Sequence, residues 1–171
     1  MRNLILGLLL GFLAGCHPSG PAETGTSTPP PRPEVQKVQM EETRWGKRAW
    51  TLEARRVEFR NDTTVLYHLT LHFYDEHEEP TSVLTADSGY LYERTRDMVA
   101  FGHVEVLTLE DSTRLLTRSL AWDHQRERIY TFDSVTVYRG TEVLTGVGLI
   151  SDPALKRIRI GGEVLGKPQE P

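Results

Sequence analysis

The residues best equipped for chemistry in this chain are its histidines and carboxylates, and their spacing argues against a shared site. His68 and His72 fall on one face of a strand of period two, but four residues of extended chain hold them about 13 Å apart, too far to ligate one metal. His72, Asp75 and His77 converge only if the acidic loop that follows residue 74 folds back on itself. Asp87, Asp123, Asp133 and Asp152 each stand beside a turn signal, where a carboxylate accepts backbone amides. No GxSxG elbow, no phosphate-cradling glycine loop and no HExxH helix is present. The expectation is a protein with no catalytic residues, no metal site and no cofactor.

The single cysteine, Cys16, has no internal disulfide partner, and its position gives it a different meaning. Met1-Arg2-Asn3 is a short basic start, residues 4–13 are an apolar run too short to span a bilayer, and Leu13-Ala14-Gly15 places small residues before the thiol. This pattern resembles a bacterial lipoprotein signal, which implies cleavage of residues 1–15 and lipidation of Cys16. Acyl chains on one cysteine would anchor the protein to a membrane without spanning it.

The elements that must position everything else begin after a tether. Residues 16–44 divide into a stretch rich in Pro, Gly, Ser and Thr, extended and partly stiff, and a polar stretch from residue 34 expected to hold at most a short helical turn. The folded domain is expected over residues 45–167. Charged residues make up 26% of the chain, the formal charge is −4, and basic residues are scattered rather than blocked, which disfavours nucleic acid as a partner.

From residue 45 the pattern is strand almost throughout. Trp50, Leu52 and Ala54 share one face, then the apolar phase shifts to Val57 and Phe59, which predicts a bulge near Arg55-Arg56. Val65, Tyr67, Leu69, Leu71 and Phe73 keep period two, with His68, Thr70 and His72 opposite. Asp87-Ser88-Gly89 reads as a turn, Met98, Ala100, Gly102, Val104 and Val106 as the central strand, and residues 155–160 as a late strand. Leu84-Thr85 and Leu116-Thr117 are 32 residues apart, as are Ala54 and Ala86, so the chain reads as stacked hairpins.

Three segments then resemble the LptC family of the bacterial lipopolysaccharide export machine: WTLEARRVEFRNDTTVLYHLTLHFYDEHEE, SVLTADSGYLYERTRDMVAFGHVEV, and LTRSLAWD with TGVGLISDPAL. Their order and spacing run the length of the domain. The resemblance implies an all-β fold, an open β-jellyroll of twisted antiparallel sheets built from repeated hairpins. It implies a non-enzymatic, periplasmic protein that accepts lipopolysaccharide from an inner-membrane ABC transporter and passes it to an LptA-like bridge. Members of the family commonly carry an N-terminal transmembrane helix. Here the lipoprotein signal stands in its place, and an anchor in the inner membrane of a Gram-negative bacterium is expected.

The candidate lipid-binding inner face is Trp50, Leu52, Tyr67, Leu69, Leu71, Phe73, Ala86, Met98, Val104, Val106, Trp122, Ile129, Val135 and Val137. Together these offer more apolar area than one thin layer needs to close, and acyl chains would fill the excess at about 0.8 kcal/mol per buried methylene. Gly146, which matches a family glycine before the last strands, and Ile158 and Ile160 are candidates for partner contact or assembly. Gly102 reads as a packing or bend residue. The same alternation also suits a sheet filled by its own side chains, an envelope scaffold with a dry core, and the two readings differ in whether the interior holds a cavity wide enough for acyl chains.

Overall fold

Strict alternation of apolar and polar side chains makes strands, and short polar turns return each one beside the last. The computed structural model describes residues 34–161 and 165–168. Its strands are β1 (Glu34–Arg44), β2 (Lys47–Arg60), β3 (Thr63–Tyr74), β4 (Pro80–Tyr92), β5 (Met98–Thr108), β6 (Arg114–Asp123), β7 (Arg128–Arg139), β8 (Glu142–Ser151), β9 (Arg159–Ile160) and β10 (Leu165–Pro168). All pairs are antiparallel, and the order along the sheet is β1-β2-β3-β4-β5-β6-β7-β8-β10, with β9 also on β8. The spacing of 32 is therefore two strands, one hairpin per repeat: Ala54 lies in β2 and Ala86 in β4, Leu84 in β4 and Leu116 in β6.

The sheet folds along a line that crosses every long strand near its middle. In β2 the buried side chains are Trp50, Leu52 and Ala54 up to Arg55 and Val57 beyond it; in β4 they are Ser82, Leu84 and Ala86, then Gly89 and Leu91. Pairing lapses at this line. Arg55 and His68 have no pairing partner between Ala54↔Leu69 and Arg56↔Tyr67, and registers slip between Phe101 and Val104, between Thr117 and Ala121, and between Thr131 and Ser134. Lys37, His68, Gly102, His103 and Gly148 take positive φ there, which re-aims the alternation as a β-bulge does. One half of each strand then faces the other half across a single core running from Trp50 to Leu155. The result is an all-β, open jellyroll made from one creased antiparallel sheet, whose first and last strands do not pair with each other.

Three sequence expectations change. Residues 34–44 form an edge strand rather than a helical turn, so the sheet starts eleven residues before position 45. An edge strand packs one side only, so Val38 and Met40 suffice for its inner face while Lys37, Gln39 and Glu41 stay outside. Asp87-Ser88-Gly89 is not a turn; β4 runs through it and bends at the crease. Residues 155–158 are not strand but part of a bent segment that leads to the short β9. The signal peptide, Cys16 and the tether up to residue 33 lie outside the described residues, as do residues 162–164 and 169–171.

Candidate functional site

Every side chain expected on the inner face is buried except Tyr67. Strict period two cannot carry β3 through the crease. His68 at φ 50° flips the alternation, so Leu66 is buried at 1% exposure where Tyr67 was expected. Tyr67 instead points outward, its hydroxyl donating to Glu58 Oε1 at 3.1 Å and its ring lying 3.7 Å from the Arg56 guanidinium. The core also takes Val57, Leu84, Leu91, Leu115, Leu120 and Leu149. Leu84 continues the alternation of Ser82 and Ala86, and a parity change at the crease, already visible at Val57, is the signal that finds the others.

Between the facing halves the packing is tight. The internal void among Leu52, Leu66, Leu71, Met98, Leu120, Trp122 and Ile129 is about 20 Å³, room for about one water. Acyl chains do not fit there without the halves parting.

The space lies instead along the side opposite the crease, where strand ends from the two halves meet without backbone pairing. This seam holds a cavity of about 580 Å³ with Trp45, Trp50, Phe73 and Trp122 in its wall. Phe73 and Trp122 belong to β3 and β6, which are not neighbours in the sheet, yet their rings stand 5.2 Å apart. They close the floor between the seam and the interior. Trp122 borders both the cavity and the internal void. Trp45 sits at the tip of the β1–β2 hairpin, where it and Gly46 both take positive φ, the type I′ geometry that two-residue hairpins favour. Its side chain is 96% exposed.

Side chains tie the seam at both ends of the cavity. At one end Arg44 forms an ion pair with Glu127 and donates to the His124 carbonyl at 2.8 Å, while on one lip Lys47 Nζ of β2 donates to the Glu76 carbonyl, in the loop after neighbouring β3, at 2.7 Å. At the other end residues 152–157 cross it as a strap. Asp152 shapes the strap by accepting the Lys156 amide at 2.9 Å, which leaves Leu155 at φ 52° with its side chain 1% exposed in the core. Arg139 Nη2 donates to the Leu155 carbonyl at 2.6 Å, and Lys156 pairs with Glu110 at 3.0 Å. The strap's footing is the β5–β6 turn. There the Thr108 hydroxyl and the Thr113 amide both donate to Asp111, and these bonds pull its carboxyl down to about 2.

The rim of the cavity is balanced in charge. Arg44, Lys47, Arg48 and Arg157 stand against Asp75, Glu76, Glu127 and Asp152. Arg48 is held by Glu41 at 2.9 Å and Arg157 by Asp152 at 3.3 Å. Asp75 accepts the amides of His77 at 2.8 Å and Glu79 at 3.0 Å, which lowers its carboxyl and fixes the loop rather than collecting a metal. Among the described residues no three His, Cys, Asp or Glu side chains are grouped to hold a metal ion.

The carboxylates near turns divide into two kinds. Asp123 and Asp152 accept turn amides, from Arg126 at 3.0 Å and from Lys156 at 2.9 Å. Asp87 and Asp133 lie on the crease instead. Asp87 Oδ2 is 2.6 Å from His103 Nδ1, and Asp133 accepts from Ser119 at 2.7 Å and Arg118 at 3.0 Å. Gly102 has φ +72°, and a Cβ there would meet Asp87 Oδ2 at 2.5 Å. Gly146 pairs with Val135, between the part of β8 that pairs with β10 and the part that pairs with β9. Ile158 and Ile160 are half-buried against the core rather than displayed outward.

Known proteins share features of this chain. One solved structure similar to it is LptH, the LptA homologous periplasmic component of the conserved lipopolysaccharide transport device from Pseudomonas aeruginosa. It shares 10% identity and a TM-score of 0.34, over 82% of this chain and 96% of that one. No curated protein matches the chain. A family model described as lipopolysaccharide-assembly, LptC-related, matches residues 8–167. That match spans nearly the whole sequence and both halves of the creased sheet, and the chain belongs to the LptC-related lipopolysaccharide-assembly family.

Proposed function

We propose that this protein is a non-enzymatic carrier that receives lipopolysaccharide from an inner-membrane ABC transporter and passes it to an LptA-like periplasmic bridge, while a lipid on Cys16 holds it to the inner membrane. The observation that carries the reading is the aromatic cavity at the seam. There an acyl chain would first meet the exposed Trp45 ring above the buried floor of Trp50, Phe73 and Trp122, and Trp122 joins that floor to the residues expected to line the lipid path. Parting the two halves would extend it over Leu52, Leu71, Met98 and Ile129. Each acyl methylene then buried contributes about 0.8 kcal/mol, so several chains compensate for the core packing given up on opening. The open edge of β1, an eleven-residue strand paired on one side only among the described residues, is suited to adding a partner's strand.

A second reading keeps support from the 20 Å³ void: an envelope scaffold whose sheet is filled by its own side chains and which binds only proteins. Photo-crosslinking separates the two. A photoreactive residue at buried Leu69, with Thr70 as the outward control, is placed in cells making lipopolysaccharide. The carrier gives a lipopolysaccharide adduct at Leu69 and none at Thr70. The scaffold gives neither, with both variants folded.

A further inference from the structure

Among the described residues six buried side-chain polar atoms lack a hydrogen-bond partner, and three of them belong to residues that border the seam cavity from its two sides: the indole Nε1 of Trp50, the indole Nε1 of Trp122 and Nδ1 of His124, the others being Ser82 Oγ, Arg128 Nε and Ser151 Oγ. Trp50 is 1% exposed and Trp122 8%, so water does not serve these donors from outside. An indole N–H donates and never accepts, and a buried donor without an acceptor carries a desolvation penalty that nothing in the closed state offsets. Phenylalanine or leucine would cover the same apolar floor without that penalty. Two tryptophans bordering this cavity from its two sides make sense if the acceptor arrives with the ligand.

The chemistry of that acceptor follows from what surrounds it. The floor beside the indoles is Phe73 and the core beyond, which suits an acyl chain. The rim carries equal numbers of cations and carboxylates, half of them paired with each other, so the cavity has no excess positive charge for a phosphate. An oxygen acceptor attached to an acyl chain and uncharged is the carbonyl of its ester or amide linkage. We infer that Trp50 and Trp122 form a subsite for acyl linkages, donating their indole N–H groups to the carbonyl oxygens of a bound amphiphile once the seam parts. This rests on the carrier reading and deepens it: the protein recognises the joint between acyl chain and head group, not the charge on the head group.

All three tryptophans of the chain border this cavity, so intrinsic fluorescence reports its occupancy directly. The full-length protein is titrated with a glucosamine 1-phosphate carrying two carbonyl-linked chains, and with a di-O-alkyl counterpart of matched length that lacks the carbonyls. The wild type is expected to bind the carbonyl-linked probe roughly tenfold to a hundredfold more tightly, the range of one or two net hydrogen bonds. In the folded double variant Trp50→Phe, Trp122→Phe, followed through Trp45, the two probes bind alike. Equal binding of both probes to the wild type overturns the linkage subsite and leaves the carrier reading standing. A preference that survives unchanged in the double variant also overturns it. Failure of both probes to bind the folded wild type sinks the carrier reading itself. Should the double variant not fold, the two probes on the wild type still decide.

Discussion

The crease and the seam are the two places where this sheet departs from a flat ladder, and they are built in opposite ways. The crease is a backbone structure. Positive φ at His68, Gly102 and His103, slipped registers, and polar side chains turned outward define it, and neighbouring strands remain bonded on either side. The seam is a side-chain structure. Phe73 meets Trp122, Arg44 meets Glu127, and Arg139 holds the Leu155 carbonyl, with no ladder between the halves. Opening the crease would break strands. Opening the seam breaks only side-chain interactions that a ligand can replace, which makes the crease the hinge and the seam the door.

Substitutions at the two places should therefore lower stability in different company. The largest effect is expected at Gly89, where an added Cβ would meet Leu69 Cδ2 at 2.8 Å and the Val99 carbonyl at 2.9 Å. Gly89→Val should cost about 3 kcal/mol in urea unfolding by overpacking the core beside the crease. Next comes Leu155→Ala, about 2 kcal/mol for the lost side chain of the strap, accompanied by faster uptake of an apolar dye into the interior. Gly89→Val protein that remains folded should show no such gain in uptake at equal stability, and equal uptake by both would erase the distinction between hinge and door.

Smaller effects sharpen the comparison. Arg139→Gln removes the charged donor to the Leu155 carbonyl and should cost about 1 kcal/mol, with dye uptake between wild type and Leu155→Ala. Asp111 adds a pH dependence at the strap's footing. Its folded pKa of about 2 lies below the unfolded value of about 3.9, so its contribution is present above about pH 4 and is lost as pH falls towards 2. Asp111→Asn should flatten that part of the acid unfolding curve, measured by circular dichroism. Least of all, Arg118→Ala removes an exposed partner of Asp133 on the crease and should change stability by less than roughly 0.5 kcal/mol.

Much of this was legible in the sequence, for reasons that individual residues make plain. Repeated hairpins and the inner face were readable because Leu69, Leu71, Phe73, Val104, Val106, Val135 and Val137 alternate against polar neighbours, and such alternation has no other stable use. The crease was half readable. Val57 betrays a phase shift in β2, but in β3 the outward Tyr67 is itself aromatic and so preserves an apparent period that the backbone at His68 breaks. β1 escaped because an edge strand needs only Val38 and Met40. Of the seam, Trp50, Phe73 and Trp122 were legible as inner-face residues, but nothing in their spacing showed that they border one cavity. Its members, from Arg44 to Leu155, come together only through the fold, and Leu155 enters the core from a bent segment where a late strand was expected.

The most direct test of the hinge-and-door account is a distance across the seam. Glu76 and Gln125 are exposed, one in the β3–β4 loop and the other in the β6–β7 turn, on opposite lips of the cavity. With Cys16 replaced by serine, spin labels at Glu76→Cys and Gln125→Cys can be measured by double electron–electron resonance with and without lipopolysaccharide. The account predicts that bound lipopolysaccharide widens this distance while a label pair on Phe59 and Tyr92, within one half, keeps its own. An unchanged distance across the seam with lipopolysaccharide bound would contradict it.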